Sequence, residues 1–533
     1  MRTMKIPSWL NRTNLYFFGL ALMLIALPLS KFLMSVAQFY LVGIWLLDPG
    51  LLGKWRAFFK NRAAMVLVSI YLIHVVGLLW TTDFNYAMKD LRIKLPLLAL
   101  PVIIATSPKI SRRVFHYLLL IFISANVVGT FFSMHELLTK EITEIRKISL
   151  FMSHIRFSLN ICVAIFSGVY LVFLSGFFTK IIKSAIFLAI AWLLIFLGIM
   201  ESVTGLGIVI LVTMLLFVLV ITWSDRVGLK NLLFIVLITA PMILFFYVSR
   251  LYDDYNPDEP FIYEGMDETT AQGNYYFHDT TLKGAENGNW IGQYVHYGEL
   301  KEAWNNRSEI PFDSLDRAGH HLKYTLIRYL TSKGLRKDAE GVNALTEKDI
   351  GHIEKGIANV DHAVETSIEK RLRLIIWELV LYRESGYLSG HSVAQRIEFW
   401  RAASRIINDH FWLGVGTGDI DNAFKQEYEE MNTQLEQQFR WRSHNQYITI
   451  LATLGIFGMI WFVFALVYPA YIRNMYRDYF YLVFFAILML SMLTEDTLEN
   501  QAGATFFAFF TTFFLFARQE KNPLIHKKTT VSD

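Results

Sequence analysis

"RWRSHNQYITILATLGIFGM", residues 440–459, places two arginines and a histidine directly before a long apolar stretch. A helix needs about 20 apolar residues to cross a bilayer, and this stretch continues to about residue 471. Ser443 and Gln446 fit the S-x-x-Q capping box, so Ser443 is predicted as the N-cap. The segment therefore predicts a transmembrane helix with polar groups at its mouth.

The composition of the whole chain agrees with a membrane protein. Of its 533 residues, 54% are hydrophobic and only 18% are charged, and the mean hydropathy is +0.37. A soluble domain has about 25% charged residues. The formal net charge of +4 is too small to indicate a nucleic-acid partner, and the single cysteine, Cys162, excludes a disulfide framework and a cysteine-based metal site.

Twelve apolar segments are predicted to cross the membrane. They lie near residues 14–30, 32–47, 63–80, 95–106, 114–134, 157–178, 184–200, 203–223, 232–248, 446–471, 479–493 and 503–517. The fourth is short and contains Pro96 and Pro101, so a kinked or re-entrant segment is its alternative. The first resembles a signal peptide, but no small-residue cleavage site follows it, and we expect it to remain as a span.

Lysine and arginine concentrate in one set of short loops and in both terminal segments. Such loops lie in the cytoplasm, so both termini are predicted to be cytoplasmic. The predicted fold is an all-α polytopic membrane protein with about 12 transmembrane helices and a large, mostly helical extracytoplasmic domain between spans 9 and 10. The predicted domains are a bundle at 1–248, the outer domain at 249–443, spans 10–12 at 444–517 and a cytoplasmic tail at 518–533.

Two patterns describe the outer domain. "YYFHDTT" at 275–281 and "WIGQYVHY" at 290–297 flank Gly- and Asn-rich residues and favour a hairpin. From about residue 298 the pattern is helical, and "TSIEKRLRLIIWELVLY" at 366–382 predicts an apolar stripe. The stripe passes through Ile368, Leu372, Ile375, Leu379 and Tyr382. It is predicted to pack on the domain, with a position on the membrane surface as the alternative.

The helix mouth at His444 has the chemistry of an anion site. The first turn of a helix offers unpaired N–H groups and the positive end of the helix dipole, which favour a phosphate and disfavour an imidazolium. With Ser443 as N-cap, His444 and Asn445 fall in that turn, so His444 is predicted to be neutral and able to accept a proton. The alternative is an interfacial histidine that only anchors the helix.

Residues 395–424, "QRIEFWRAASRIINDHFWLGVGTGDIDNAF", form a second candidate region. Arg396 and Trp400 share a helical face, and the planar guanidinium suits phosphate. A solvated face beside lipid headgroups is the alternative. The glycines that follow lack the Lys-Ser/Thr pair of a nucleotide-binding loop. Asp419 and Asp421 form a D-x-D, which is interpreted as turn or capping residues, so neither a metal nor another cofactor is predicted.

Other cations lie in the outer loops close to the ends of spans. They are Arg92, Lys94, Arg146 and Arg156, and each is a candidate to face a lipid diphosphate. Arg250 follows the ninth span. Ionisable residues inside the spans are scarce, with His74 and His116 as the clearest cases. Because buried intramembrane charges mark ion pathways, this scarcity argues against an ion-coupled transporter.

At these residues the chain resembles the O-antigen ligase family, which includes O-antigen polymerases and bacterial protein O-oligosaccharyltransferases. The R-x3-W of Arg396 and Trp400, the following "GVGTGD" and "HNQYITILATLGIFG" are similar to the family's patterns. The resemblance implies that His444 is the catalytic base and that Arg396 contacts the diphosphate. Asn445, next to His444, is predicted to contact the donor. The family's S-R-x-G stretch reads "ESVTGLG" here, with Val203 in place of the arginine. Arg156 or Arg250 is expected to replace it, and a divergent member with an altered substrate is the alternative.

The resemblance also implies a reaction and a location. The expected activity is glycan transfer from undecaprenyl diphosphate to a hydroxyl of a lipid A–core sugar, without a metal and with inversion. A growing glycan or a protein Ser or Thr is the alternative acceptor. The expected location is the bacterial inner membrane, with membrane lipids around the spans and the active site facing the periplasm. Residues 261–390 would be an insertion relative to the family. A lipid-linked glycan transporter or flippase and a partner-binding scaffold are the competing classes.

Overall fold

The computed structural model describes residues 11–140, 145–253, 266–279, 284–361, 367–385 and 392–519. The chain divides into two compact units. The first contains Met1–Phe234, Arg396–Thr433 and Gln437–Asp533, and the second contains Ile235–Gln395 and Gln434–Glu436.

Helices dominate the described residues. In chain order they are α1 (Arg12–Leu29), α2 (Lys31–Leu46), α3 (Leu51–Lys60), α4 (Arg62–Val76), α5 (Phe84–Thr106), α6 (Arg112–Thr139), α7 (His154–Val169), α8 (Lys180–Ile199), α9 (Val203–Trp223), α10 (Val227–Asp253), α11 (Tyr297–Asn305), α12 (Leu322–Ser332), α13 (Ala339–Asn343), α14 (Glu347–Glu354), α15 (Ser367–Ser385), α16 (Ser392–Asp409), α17 (Ile420–Glu430), α18 (Gln446–Ile472), α19 (Tyr479–Met492) and α20 (Gln501–Thr512).

The apolar helices confirm a multi-pass, all-α membrane protein. Among the described residues, eight helical segments are long and apolar enough to cross a membrane, and a ninth is counted if α2 and α3, bent by 105°, form one broken span. The eight are α1, α4 with its extension to Trp80, α6, α7 with its extension to Leu174, α8, α9, α10 and α18. The helices α19 and α20 are apolar but shorter. The predicted total of twelve therefore stays a prediction.

Helix α18 is broken at Gly455, whose φ of 64° and ψ of −169° are not helical. The segment after α16 supplies backbone partners at this break. Val415 N donates to Ala452 O at 3.0 Å, and Ile456 N donates to Phe411 O at 2.9 Å. A Cβ atom added to Gly414 would lie 2.4 Å from the Thr453 carbonyl carbon. The glycines of "GVGTGD" thus permit a close backbone approach, which fixes the end of α16 against α18.

Helix α20 holds the other side of this region. Its residues from Ala502 to Thr512 are all buried. Its phenylalanines pack against those of neighbouring helices, for example Phe510 edge-to-face on Phe122 at 5.2 Å and tilted on Phe484 at 5.5 Å between ring centroids. Aromatic pairs at such distances add stability beyond area burial. The loop between α19 and α20 is therefore anchored at both ends.

The second unit has a small mixed core. The strands β1 (Ala285–Glu286) and β2 (Asn289–Trp290) pair antiparallel, and Phe277 pairs with Val295 further out, which confirms the hairpin. The core includes Trp304 and Tyr329, both fully buried.

Helix α15 packs against α10 in this unit, through a face that differs from the prediction. The buried face contains Leu372, Ile376 and Val380 with Leu251, whereas Leu379 is exposed. The stripe through Leu379 is therefore wrong beyond Leu372, because the packed positions follow i, i+4 and i+8 from that residue.

Candidate active site

Helix α18 begins two residues later than the capping-box pattern indicates. Its N-cap is Asn445, whose Oδ1 accepts hydrogen bonds from Tyr447 N at 3.0 Å and Ile448 N at 3.2 Å. His444 has a φ of +49°. The prediction of Ser443 as N-cap is wrong, because a left-handed His444 stops the helix from extending toward Ser443. His444 therefore precedes the helix instead of lying in its first turn.

Neighbouring groups hold the His444 backbone in this conformation. A left-handed residue with a side chain costs roughly 1–2 kcal/mol, so the surroundings must fix it. The His444 N–H donates to Asp496 Oδ2 at 3.2 Å, and the Trp400 indole donates to Ser443 O at 2.9 Å. The Phe399 ring lies 5.7 Å from the imidazole, centroid to centroid. The tryptophan of R-x3-W thus positions the histidine turn.

The imidazole of His444 remains available for chemistry. The residue is half-buried, and within the described ranges its ring makes no hydrogen bond. A general base must be within hydrogen-bond reach of its proton donor. A ring that is held by its backbone, with its nitrogens unused, meets that need.

The loop between α19 and α20 supplies the partners of this turn. Leu493 O accepts from Asn445 Nδ2 at 3.0 Å, and Asp496 Oδ1 accepts from Thr449 Oγ1 at 2.7 Å. The sequence of this loop, "TEDTLEN" at 494–500, did not predict its place at the site. The one signal in the sequence was its excess of carboxylates at the end of a span.

Two predicted arginines meet at Glu495 in this loop. Arg396 Nη2 lies 3.7 Å from Glu495 Oε1, and Arg156 Nη2 lies 3.9 Å from Glu495 Oε2. Arg396 also donates to Thr494 O at 3.3 Å, and Arg156 donates to Asp496 O at 3.2 Å. The structure therefore brings together Arg156, Arg396 and the His444 turn from three separate parts of the chain.

Cationic side chains and a second carboxylate, Asp496, surround Glu495. Burial raises the pKa of Glu495 above its ordinary value, while Arg156, His444 and Arg396 act in the opposite direction. Asp496 adds a second carboxylate beside Glu495, and it also interacts with Arg156. In addition, Arg396 Nε is buried and has no hydrogen-bond partner within the described residues. A buried donor without a partner is costly, and a phosphate oxygen is a group that would satisfy it.

Val203 and Arg250 are the other positions that bear on the expected phosphate contact. Val203 is the first residue of α9, and α9 packs on α7, where Cys162 Sγ donates to Gly205 O at 3.4 Å. Arg156 is on α7, the neighbour of the position that lacks the family arginine. Arg250 belongs to α10 in the second unit, so its predicted role stays a prediction.

A comparison with protein-family models tests the resemblance seen in the sequence. Residues 353–463 match the family model O-antigen ligase. The resemblance to the O-antigen ligase family is therefore confirmed, and it indicates ligase- or polymerase-type activity of a membrane glycosyltransferase. The matched range contains Arg396, Trp400, the glycine segment and His444, but not Arg156. A search of curated proteins finds no match.

The D-x-D in the O-antigen ligase range anchors a loop. The Asp419 carboxylate accepts from Thr82 N and Thr82 Oγ1, both at 2.7 Å, and from Asp83 N at 2.9 Å. Burial would raise the pKa of Asp419, but these donors hold it below its ordinary value. Asp421 pairs with Lys425 at 2.9 Å. In the part of the chain that the structure describes, no three His, Cys, Asp or Glu side chains are grouped as metal ligands.

Lys94, predicted as a candidate to face a lipid diphosphate, is instead buried and paired with two carboxylates. Its side chain is 1% exposed and contacts Asp90 Oδ1 at 2.6 Å and Glu499 Oε2 at 2.8 Å. Buried charges are stable only when they are paired, and here two carboxylates neutralise the ammonium. Lys94 therefore belongs to an internal ion-pair network of the O-antigen ligase-like chain.

Proposed function

We propose that this protein transfers a glycan from undecaprenyl diphosphate to a hydroxyl acceptor, a lipid A–core sugar, at the periplasmic face of the bacterial inner membrane. The observation that carries the proposal is the unused imidazole of His444 beside two arginines that meet at Glu495. One group accepts a proton and the other pair receives a diphosphate. The family match supports the same class of reaction.

His444 is assigned as the general base. A ring nitrogen takes the proton of the acceptor hydroxyl while the acceptor oxygen attacks the anomeric carbon of the donor sugar. General-base catalysis of this kind is worth typically ~10²–10⁴-fold. The hydrogen bonds from His444 N–H to Asp496 and from Trp400 to Ser443 O fix the backbone turn that carries the imidazole, which limits the orientations to be lost when the acceptor binds.

Arg396 and Arg156 are assigned to the diphosphate. As the bond between the anomeric carbon and the phosphate oxygen breaks, negative charge grows on the departing diphosphate, and guanidinium groups stabilise that charge. Arg396 Nε, which has no hydrogen-bond partner among the residues that the structure describes, supplies one donor for it. Because a diphosphate is already a good leaving group, the scheme needs no catalytic acid and no metal. A single displacement inverts the anomeric centre.

Asn445 is predicted to contact the donor, but both ends of its amide are already engaged. Oδ1 caps α18, and Nδ2 donates to Leu493 O. We infer that Asn445 acts by fixing the residue next to His444, and its contact with the donor stays a prediction.

Orientation and acceptor complete the proposal. We place both termini in the cytoplasm and residues 249–443 in the periplasm, because Lys and Arg concentrate in the loops on the side of the termini. An O-antigen polymerase or a protein O-oligosaccharyltransferase would use the same donor chemistry with another acceptor.

Reconstitution tests the function and separates these acceptors. Purified protein in liposomes receives undecaprenyl-diphosphate-linked glycan together with lipid A–core, with a Ser/Thr peptide, or with no added acceptor. Glycan on lipid A–core is the expected product. Longer lipid-linked glycan would identify a polymerase, and glycosylated peptide would identify a protein oligosaccharyltransferase. Donor that moves across the bilayer without forming any product would contradict a transferase.

A further inference from the structure

The two residues that flank the His444 turn both end on one carboxylate. Arg442 Nη1 lies 3.1 Å from Glu499 Oε2, and Gln446 Nε2 donates to Glu499 Oε1 at 3.2 Å. Arg442 precedes the turn and Gln446 begins α18. Glu499 therefore contacts the chain on both sides of the left-handed residue.

Glu499 is itself held by a buried ion pair of α5, Lys94 and Asp90. Its side chain is 8% exposed, and Lys94 Nζ, 1% exposed, donates to Oε2 at 2.8 Å. Asp90 binds the same ammonium through both carboxylate oxygens, at 2.6 and 2.7 Å. The four charges of Asp90, Lys94, Glu499 and Arg442 alternate in sign and sum to zero. Breaking a buried network of this kind by removing one partner is strongly unfavourable, so the carboxylate is held in one place.

The charge state of Glu499 agrees with this role. Burial alone would raise the pKa of Glu499, but Lys94 and Arg442 hold it well below its usual range. The carboxylate is therefore ionised at neutral pH. Gln446 Oε1 also accepts from Leu498 N at 2.6 Å, which ties the loop before α20 to the start of α18.

We propose that Glu499 is a positioning residue for His444: it holds the side chains of Arg442 and Gln446, on either side of the histidine turn, so that the imidazole meets the acceptor hydroxyl. This inference rests on the proposed function. Glu499 acts through His444 and does not touch the donor or the acceptor. Its loss should therefore lower turnover and leave donor binding nearly unchanged.

The test compares Glu499→Gln and Glu499→Asp in the reconstituted full-length protein, with saturating lipid A–core. Glu499→Gln removes the charge that holds Arg442, and we expect kcat to fall by about tenfold or more, with the donor KM within about twofold of the wild type. Glu499→Asp keeps the charge on a shorter side chain and should recover part of kcat. Asp421→Asn changes an exposed carboxylate that pairs with Lys425 and serves as the matched control.

A double-mutant cycle separates positioning from general structural damage. Because Glu499 acts through His444, Glu499→Gln should cause no further loss in a His444→Ala background. An equal fold-loss in both backgrounds would overturn the inference while leaving His444 as the base. A wild-type rate for His444→Ala alone would instead overturn the proposed function.

Arg442→Lys keeps the test decisive if Glu499→Gln does not accumulate in the membrane. It retains the positive charge but lacks the guanidinium fork, so the buried network is less disturbed. We expect a lower kcat with little change in donor KM, and again no further loss with His444→Ala. A change confined to donor KM would overturn the positioning role of Glu499.

Discussion

Arg396→Ala should lower kcat/KM for the lipid-linked donor, because it removes a contact to the diphosphate, and it should leave the protein folded. Arg396 Nη2 donates to Thr494 O at 3.3 Å and lies 3.7 Å from Glu495, and its Nε lacks a partner within the described residues. Truncation removes a charge-assisted contact, which is worth about 1.5–3 kcal/mol. Since about 1.4 kcal/mol corresponds to a factor of ten, kcat/KM for the donor should fall by about 10- to 150-fold.

Two companion variants make this prediction specific. Arg396→Lys should recover only part of kcat/KM, because an ammonium is a point charge and lacks the planar fork. Arg401→Ala is the matched control on the same helix, since Arg401 is 63% exposed and lies 3.8 Å from Glu398. Exposed ion pairs contribute about 0–1 kcal/mol, so Arg401→Ala should stay within about twofold of the wild type.

The assay is initial-rate transfer in proteoliposomes with the lipid-linked donor varied and the acceptor saturating. Equal protein in each membrane is verified by immunoblot, and folding by thermal aggregation in detergent. An unchanged kcat/KM in Arg396→Ala, or the same loss in Arg401→Ala, would refute the assignment of Arg396 to the diphosphate.

Three further outcomes are expected. In a Cys162→Ser background, a cysteine at exposed Asn343 should react with an impermeant thiol reagent in intact cells, and one at exposed Asp225 should not; the reverse pattern would invert the topology. Activity should survive EDTA, since Asp419 is engaged by three protein donors, and a loss restored by magnesium would contradict this interpretation. Burial lowers the pKa of Lys337 from 10.5 to about 7. Between these pH values the unfolded chain binds a proton that the folded chain does not, so the free energy of unfolding rises with pH. The unfolding free energy from native-state hydrogen exchange in α12 should show this rise in the wild type and not in Lys337→Met. Equal slopes of that free energy against pH in the two proteins would contradict the prediction.

The helices were predictable because long apolar runs and their breaks are local properties. The spans at 203–223 and 446–471 fall on α9 and α18 within a residue or two. The number of spans was less predictable. Helix α5 buries Asp90 and Lys94 as an ion pair, and charges that neutralise each other in the fold look like a polar loop in the sequence.

The site was predictable only in part. His444 and Arg396 stood out because their residue types suit a base and a phosphate contact, and the structure places both near Glu495. Glu495, Asp496 and Glu499 were missed as site residues, because their approach to His444 depends on the packing of α20. The choice of Asn445 over Ser443 as N-cap also depends on tertiary contacts, since the left-handed φ of His444 is held by Asp496.

The most direct measurement of the central claim is the turnover of His444→Ala and His444→Gly at equal membrane content. Alanine removes the base, and glycine removes it while adopting the φ of +49° without strain. Both variants should bind the lipid-linked donor with nearly wild-type affinity, and both should transfer glycan at least ~10²-fold more slowly. Transfer at the wild-type rate by either variant would contradict the assignment of His444 as the general base.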